Sequence, residues 1–244
     1  IRIDLPRGAQ ASLLLIQDGA APLATEQLSL VLGSNSRLHL YRLQIAAAGS
    51  QRTARLEASL ARDAALELWS LDAGHGAHRQ DSVITLADTG ASVNMQALQT
   101  VQQAIADNHL TIRHAAAHTT SRVQTRGLAA EKGLVVFNGR IEVARGAVKT
   151  DSDLQAAHLL LHPSAEVNAK PELEINADDV KCAHGSTVGQ LDEAALFYLR
   201  SRGISAIQAR HLLTTAFAQS ILDSLPDETL RAHWQGLMSQ RLAA

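Results

Sequence analysis

Aromatic side chains are scarce, at 3% of 244 residues, with two Trp, two Tyr and three Phe. The core must therefore be built from Leu, Val, Ile and Ala, which suits regular stacked layers better than a ring-lined pocket. There is one cysteine, which excludes an internal disulfide framework and fits a reducing compartment. No apolar run reaches the ~18 residues that argue for a membrane span. Charge is nearly balanced, with 22 basic against 24 acidic residues. Nothing therefore draws the whole chain toward nucleic acid or an anionic membrane. The arginines are scattered rather than gathered in a stripe. Three chemical signatures are missing as well: the G-x-x-x-x-G-K-[ST] phosphate loop, the G-x-S-x-G elbow and H-E-x-x-H.

What is present is an apolar share of 46%, enough for a core and too high for disorder. The length fits one large domain, or one large and one small. Two textures follow each other. Residues 1–188 read as short strands alternating apolar, polar, apolar, as in Leu38-His39-Leu40, Leu66-Glu67-Leu68, Val93-Asn94-Met95 and Ile141-Glu142-Val143. Period-2 alternation puts one face inward. Gly and small polar residues between them mark turns. The repeat spacing is irregular, so periodicity alone does not separate a sandwich from a solenoid. Small aliphatic core residues and scarce hairpin dipeptides favour a parallel β-helix; Asn138-Gly139 is the one good type I′ hairpin candidate. The chain opens on Ile1-Arg-Ile-Asp-Leu5 with no initiator Met and no signal-peptide pattern, so a fragment is expected, its first part absent.

Residues 189–244 read as helical. Leu191, Ala194, Ala195, Tyr198 and Leu199 follow helical spacing, and Gly203 stands where a helix-ending glycine would. Ser205-Ala-Ile-Gln208 fits a capping box. A second stripe holds Leu212, Leu213, Ala216, Phe217 and Ile221, and a third holds Leu230, Trp234, Leu237 and Met238. So little helix is marginal alone and is expected to dock on the strands or on a partner.

The chemistry concentrates in Cys182-Ala183-His184. In an extended strand, residues two apart share a side, so thiolate and imidazole could approach one metal or cluster. Lys181 and a protonated His184 could lower the thiol pKa. Two ligands do not close a site. The alternative is a quiet core cysteine, since free Cys is among the most buried residue types. The apolar phase shifts after Leu173 and Ile175, which predicts a bulge or turn at Asp178-Asp179. The pairs His75/His78, His114/His118 and His158/His162 have ligand-like spacing but read as surface or core residues. A β-helix carbohydrate enzyme would need clustered acids and aromatic platforms. Of the Trp and Tyr residues, only Tyr41 and Trp69 lie among the strands.

The run from Lys170-Pro-Glu-Leu-Glu-Ile175 through Asp178-Asp-Val-Lys-Cys-Ala-His-Gly185 resembles the C-terminal signature of the SufB/SufD family of iron–sulfur cluster assembly scaffolds. The resemblance continues through Asp192-Glu-Ala-Ala-Leu-Phe-Tyr-Leu-Arg-Ser-Arg-Gly-Ile204 to Phe217. It is of the SufD type, because SufB carries acidic residues where this chain has Cys182 and His184. The resemblance implies a right-handed parallel β-helix with a C-terminal helical domain, lacking the family's N-terminal helical region. It implies a cytoplasmic, non-enzymatic scaffold subunit. Its partners would be a SufB-like paralogue, met through the β-helix, and a SufC-like ATPase, met through the helical domain. When isolated, the chain could pair with itself. Its cargo would be iron or a nascent Fe–S cluster, held transiently and shared with the partner subunit. His184 is the stronger candidate ligand, with Cys182 beside it, while Tyr198, Arg200 and Arg202 are candidates for docking the ATPase. Two other readings stand beside this one: a β-helix lyase or hydrolase, and a structural subunit with no metal contact.

Overall fold

A computed structural model describes residues 1–243, with side chains as far as Arg241. Fourteen strands precede three helices. The strands are β1 (Arg2–Leu5), β2 (Gln10–Gln17), β3 (Leu23–Leu32), β4 (Arg37–Gln44), β5 (Gln51–Leu60), β6 (Ala65–Asp72) and β7 (Ala77–Leu86), then β8 (Ser92–Val101), β9 (Ile105–His114), β10 (Thr120–Ala129), β11 (Leu134–Val143), β12 (Asp151–Leu160), β13 (Glu166–Ile175) and β14 (Lys181–Gln190). The helices are α1 (Glu193–Ser201), α2 (Ala206–Leu222) and α3 (Glu228–Ala243). Odd strands form one seven-stranded sheet and even strands another, each in sequence order. Every pairing is parallel and in register. The chain thus winds as a β-solenoid of two strands per rung.

Winding converts period-2 alternation into rows. On the even sheet, Leu40, Leu68, Met95, Val123 and Leu154 are register partners in succession. On the odd sheet, Leu30, Ala58, Ile84, Ile112 and Ile141 do the same. All face inward and are buried. Each large buried aliphatic contributes roughly 1.5–3 kcal/mol, and aliphatic side chains stacked rung on rung fill most of the narrow interior, with Phe137 buried among them.

Register partners lie 27 residues apart at Glu67 and Asn94, 31 at Ser121 and Ser152, and 32 at Arg140 and Glu172. The repeat exists, but its length drifts. Its corners are equally varied: the left-handed backbone position is taken by Asn35, Asp63, Gly90 or His118, with φ between 55° and 77°. Asn and Asp tolerate this conformation better than most residues do.

One turn expectation is overturned. Asn138-Gly139 lies inside β11, paired on both sides. Gly139 faces inward, and a Cβ there would come within 2.8 Å of the Phe137 ring and Leu154 Cδ1. This glycine makes room for packing and turns nothing.

The helices pack on the outer face of the even sheet. Tyr41, Leu43, Trp69, Leu71, Leu98 and Leu128 share a core with Ala218, Ile221, Leu222, Trp234 and Met238. Trp69 stacks on Tyr41 with ring centroids 5.2 Å apart, and its Nε1 donates to Ser224 Oγ at 3.1 Å. Asp192 caps α1, Ser205 and Gln208 form the capping box of α2, and Gly203 has φ 86°. The expected stripes need correction on two helices. Leu196 is the buried residue of α1 while Tyr198 is exposed, and α2 buries Ala209, Thr214, Ala218, Ile221 and Leu222 while exposing Leu212 and Ala216. A helix lying on a sheet buries a small-residue face, so Leu and Phe flank the contact instead of centring it. The α3 stripe holds as expected.

The interior also contains polar groups. His114 is fully buried, with Nδ1 2.8 Å from Thr119 Oγ1 and Nε2 2.9 Å from Ser121 Oγ. His158 is buried beside Phe137, and neither ring nitrogen has a partner. Its register partner is Gly127, where a Cβ would lie 2.4 Å from His158 Nδ1. Burial holds both imidazoles down at about 4, and nearby Arg126 adds to the effect at His158. With folded values below the ordinary 6.5, both rings bind fewer protons folded than unfolded. Stability is therefore lost as pH falls from 6.5 through about 4, by up to about 3 kcal/mol per ring. Urea midpoints measured across this range should fall, and His158→Leu should flatten the slope. An unchanged slope in His158→Leu would mean that this ring is already charged in the folded protein.

Candidate functional site

Strand β14 ends the even sheet and pairs only with β12, while β13 ends the odd sheet and pairs only with β11. Residues 176–180 turn between them, so the expected break at Asp178-Asp179 is a corner of the solenoid. On β14, Cys182 is the register partner of Ser152, and His184 that of Leu154. His184 therefore extends the inward row that runs from Leu40 to Leu154, and Cys182 extends the row of Leu38, Leu66, Val93, Ser121 and Ser152. Both stand on the core-facing side of the last strand. Among the described residues no further rung covers them, so His184 is exposed and Cys182 half-buried.

The two side chains meet different surroundings. Cys182 packs against the main core, as Val180, Ala177 and Leu173 also do. Burial pushes its thiol pKa up, the Asp151 carboxylate pushes the same way, and the Ser152 backbone N–H pulls it back only in part. The sequence expectation that Lys181 and His184 lower this pKa is overturned. Lys181 is the register partner of Asp151 and helps, after Arg122, to hold that carboxylate ionised. Behind Cys182 lies a polar stretch of its row that the sequence did not reveal. There Ser152 Oγ is 2.7 Å from Ser121 Oγ, which bonds the neutral His114.

Chemically the last rung offers one accessible imidazole and one neutral thiol on one side of a strand. Both suit iron or zinc, but two ligands leave a metal open. Among the described residues no group of three or more His, Cys, Asp or Glu could hold a metal ion. The other histidine pairs are separated. His75 contacts Arg241, whereas His78 Nδ1 lies 2.9 Å from Asp72 Oδ2. His114 lies in a strand and His118 in the following corner, and His162 Nδ1 accepts from the Ser164 N–H. The outer face of the odd sheet carries carboxylates, but Glu57, Asp81, Asp107, Glu142 and Glu172 each pair with an arginine. These exposed pairs contribute roughly 0–1 kcal/mol each and do not provide the free acid and base of a glycosidase.

On the helical side, Tyr198, Arg200 and Arg202 are all exposed on or beside α1, with Arg202 Cζ 5.3 Å from the centre of the Tyr198 ring. Phe197 on α1 and Ile207 on α2 are large apolar residues left 72% and 82% exposed, which the sequence did not single out. The signal was available for Phe197, which falls off the expected stripe of Leu191, Ala194, Ala195, Tyr198 and Leu199.

A parallel β-solenoid of two strands per rung, ending in a Cys-x-His strand and carrying helices against one sheet, is the architecture that these residues define. Residues 1–217 match the family described as SUF system FeS cluster assembly, SufBD core domain. The chain is 32% identical to the iron–sulfur cluster assembly protein SufD of Escherichia coli over 98% of its own length and 58% of that protein's. It is 31% identical to a SufBD family protein of Synechocystis over 86% of its length and 47% of that protein's. It is 39% identical to the chloroplastic protein ABCI7 of Arabidopsis thaliana over 46% of its length and 24% of that protein's. The chain belongs to the SufB/SufD family and is of the SufD type. It spans about half the length of the first two of these relatives.

The thiol environment is directly measurable. Alkylation of Cys182 by iodoacetamide should follow a pH profile whose midpoint lies above that of a free cysteine, because the neutral thiol is favoured. A midpoint below the free value would place a cation near the sulfur that this arrangement lacks.

Proposed function

We propose that the chain is a non-catalytic scaffold subunit of iron–sulfur cluster assembly whose last rung supplies half of a cluster-handling site. The observation that carries this reading is the placement of Cys182 and His184 at the uncovered end of two inward rows. A strand edge exposes unpaired N–H and C=O groups and invites another chain. A SufB-like paralogue docking there would bring its own ligands to the same face and close a site that one chain leaves open. Iron or a nascent cluster is the cargo, and His184 is its principal ligand from this chain because it is the accessible one. Cys182, protonated and half-buried, joins when the contact between subunits rearranges. The E. coli relative's name assigns it to iron–sulfur cluster assembly, which supports extending that role to this chain.

The helical region, residues 189–244, is proposed as the dock for a SufC-like ATPase. Tyr198, Arg200 and Arg202 form the polar part of the contact, with Phe197 as its apolar anchor. Interface hot spots favour Tyr and Arg near an apolar centre. ATP hydrolysis would then act on the SufB-like contact through helices that share a core with the even sheet. Among the described residues no helix is long and apolar enough to cross a membrane, and a cytoplasmic setting is proposed from the single thiol and the reducing conditions it fits.

The test is the iron and acid-labile sulfide content of the complex co-purified with a SufB-like chain and its ATPase. His184→Ala should lower both several-fold while leaving the complex assembled, and Cys182→Ser should have a smaller effect. Unchanged iron, sulfide and cluster maturation in His184→Ala would remove the ligand role.

A further inference from the structure

On the outer face of the even sheet, beside α2, runs a groove of about 510 Å³ lined in part by Gln96, Arg122, Gln124, Arg126, Gln155 and Thr187. Strand geometry aligns these side chains. Gln96, Gln124 and Gln155 are successive register partners, and Arg126, Ala157 and Thr187 form the adjacent outward row. Gly185 continues the glutamine row on β14. A Cβ there would lie 2.3 Å from Gln155 Oε1, so the last strand presents bare backbone as the groove's low wall.

The charges of the groove are unequally satisfied. Arg122 has a carboxylate partner: its Nη2 lies 2.6 Å from Asp151 Oδ2, and its Nη1 donates to the carbonyls of Ser121 and Asp151. Asp153 accepts from Gln155 Nε2 at 2.8 Å. Arg126 differs. It donates once, to the Thr125 carbonyl at 3.2 Å, and its Cζ lies 5.5 Å from the centre of the Phe217 ring. Among the described residues it has no carboxylate partner. Burial pushes its pKa down, with no acid acting in the other direction. The opposite need sits one rung away. Gln96 Nε2 donates to Asn94 Oδ1, but Gln96 Oε1 is buried with no donor.

We infer that this groove binds a small hydroxylated oxyanion, a hydroxy acid or a polyol phosphate. Its oxyanion pairs with the free edge of the Arg126 guanidinium, a geometry suited to carboxylate and phosphate alike. Its hydroxyl donates to Gln96 Oε1, and the Gln124 amide and Thr187 hydroxyl supply further donors. One rung and two residues separate Gln96 from Arg126, a diagonal of about 8 Å from strand spacing and rise. That distance matches a polar molecule a few bonds long, and the volume lies within the usual range for small-ligand sites. The ligand fills the two vacancies together: a bare anion leaves Gln96 Oε1 unpaired, and a neutral polyol leaves Arg126 uncompensated.

The experiment follows the Arg126 Nε–Hε resonance of the whole chain at constant ionic strength. L-malate, glycerol 3-phosphate and succinate are the titrants. Saturable shifts are expected with malate, glycerol 3-phosphate or both in the millimolar range, roughly 1–10 mM. Which of the two binds tells a carboxylate ligand from a phosphate one. Succinate, which lacks the hydroxyl, should bind several-fold more weakly, because a polar site rejects the analogue that leaves its buried acceptor unpaired. In Arg126→Met, followed through the Gln124 side-chain amide, binding should weaken by about tenfold or more. In Gln96→Met the distinction between malate and succinate should vanish. The proposal is overturned if none of the three saturates by about 50 mM, if succinate matches malate in the unmodified chain, or if folded Arg126→Met binds as before. Should Arg126→Met not fold, the Gln96→Met comparison decides alone.

Discussion

In-register parallel stacking is the constraint on which everything else depends. Each inward side chain is covered by its register partner on the rung before and the rung after. Leu40, Leu68, Met95, Val123 and Leu154 form one such row, and no member of it is stable outside water without its neighbours. The arrangement uses no disulfide, and Phe137 is the aromatic residue of its main core. It does need every rung to be followed by something, and β13 and β14 are followed by nothing among the described residues. The final positions of two buried rows are accordingly an exposed imidazole and a half-buried thiol, where a longer solenoid would place Leu or Val. A polar residue can end a row where the row ends at a surface that a second chain is to cover. Fold and chemistry meet at this point: on the uncovered last rung an imidazole and a thiol stand on the core-facing side of a strand with one unpaired edge.

The same stacking orders the rest of the molecule. Outward rows on the odd sheet set arginine beside an acid on the next rung at Arg55 and Asp81, Arg79 and Asp107, Arg113 and Glu142, and Arg140 and Glu172. Outward rows on the even sheet turn apolar at Leu43, Leu71, Leu98 and Leu128, and there the helices lie. Helices α2 and α3 thus share a core with the sheet. Buried polar groups are fitted into this scheme with unequal care. His114 is satisfied on both nitrogens, whereas His158 and Gln99 are not.

Much of this was legible in the sequence, for physical reasons that differ by element. The alternation at Leu66-Glu67-Leu68 and Ile141-Glu142-Val143 revealed strands because a strand face has period two whatever the fold. The rung length was hidden because it drifts from 26 to 32 residues and because the corners accept Gly, Asn, Asp or His at one backbone conformation. Asn138-Gly139 misled because a glycine that admits an aromatic ring looks the same in sequence as one that turns a hairpin. The stripe on α2 was misphased because the surface beneath it selects Ala209, Thr214 and Ala218 over Leu212. At the site, the shared side of Cys182 and His184 followed from spacing alone. Their position at the end of two rows required the rung count. The raised thiol pKa required knowing that Asp151 stands beside Lys181 on the neighbouring strand.

The most direct measurement of whether the last rung is an unfinished site is amide hydrogen exchange of this chain with and without a SufB-like partner. Strands β13 and β14 should be the least protected of the solenoid's later strands in isolation, because each has one unpaired edge. Addition of the partner should protect the amides of Lys181–Gln190 most strongly. Protection that falls elsewhere, with β14 exchanging as before, would contradict the view that a second polypeptide covers Cys182 and His184.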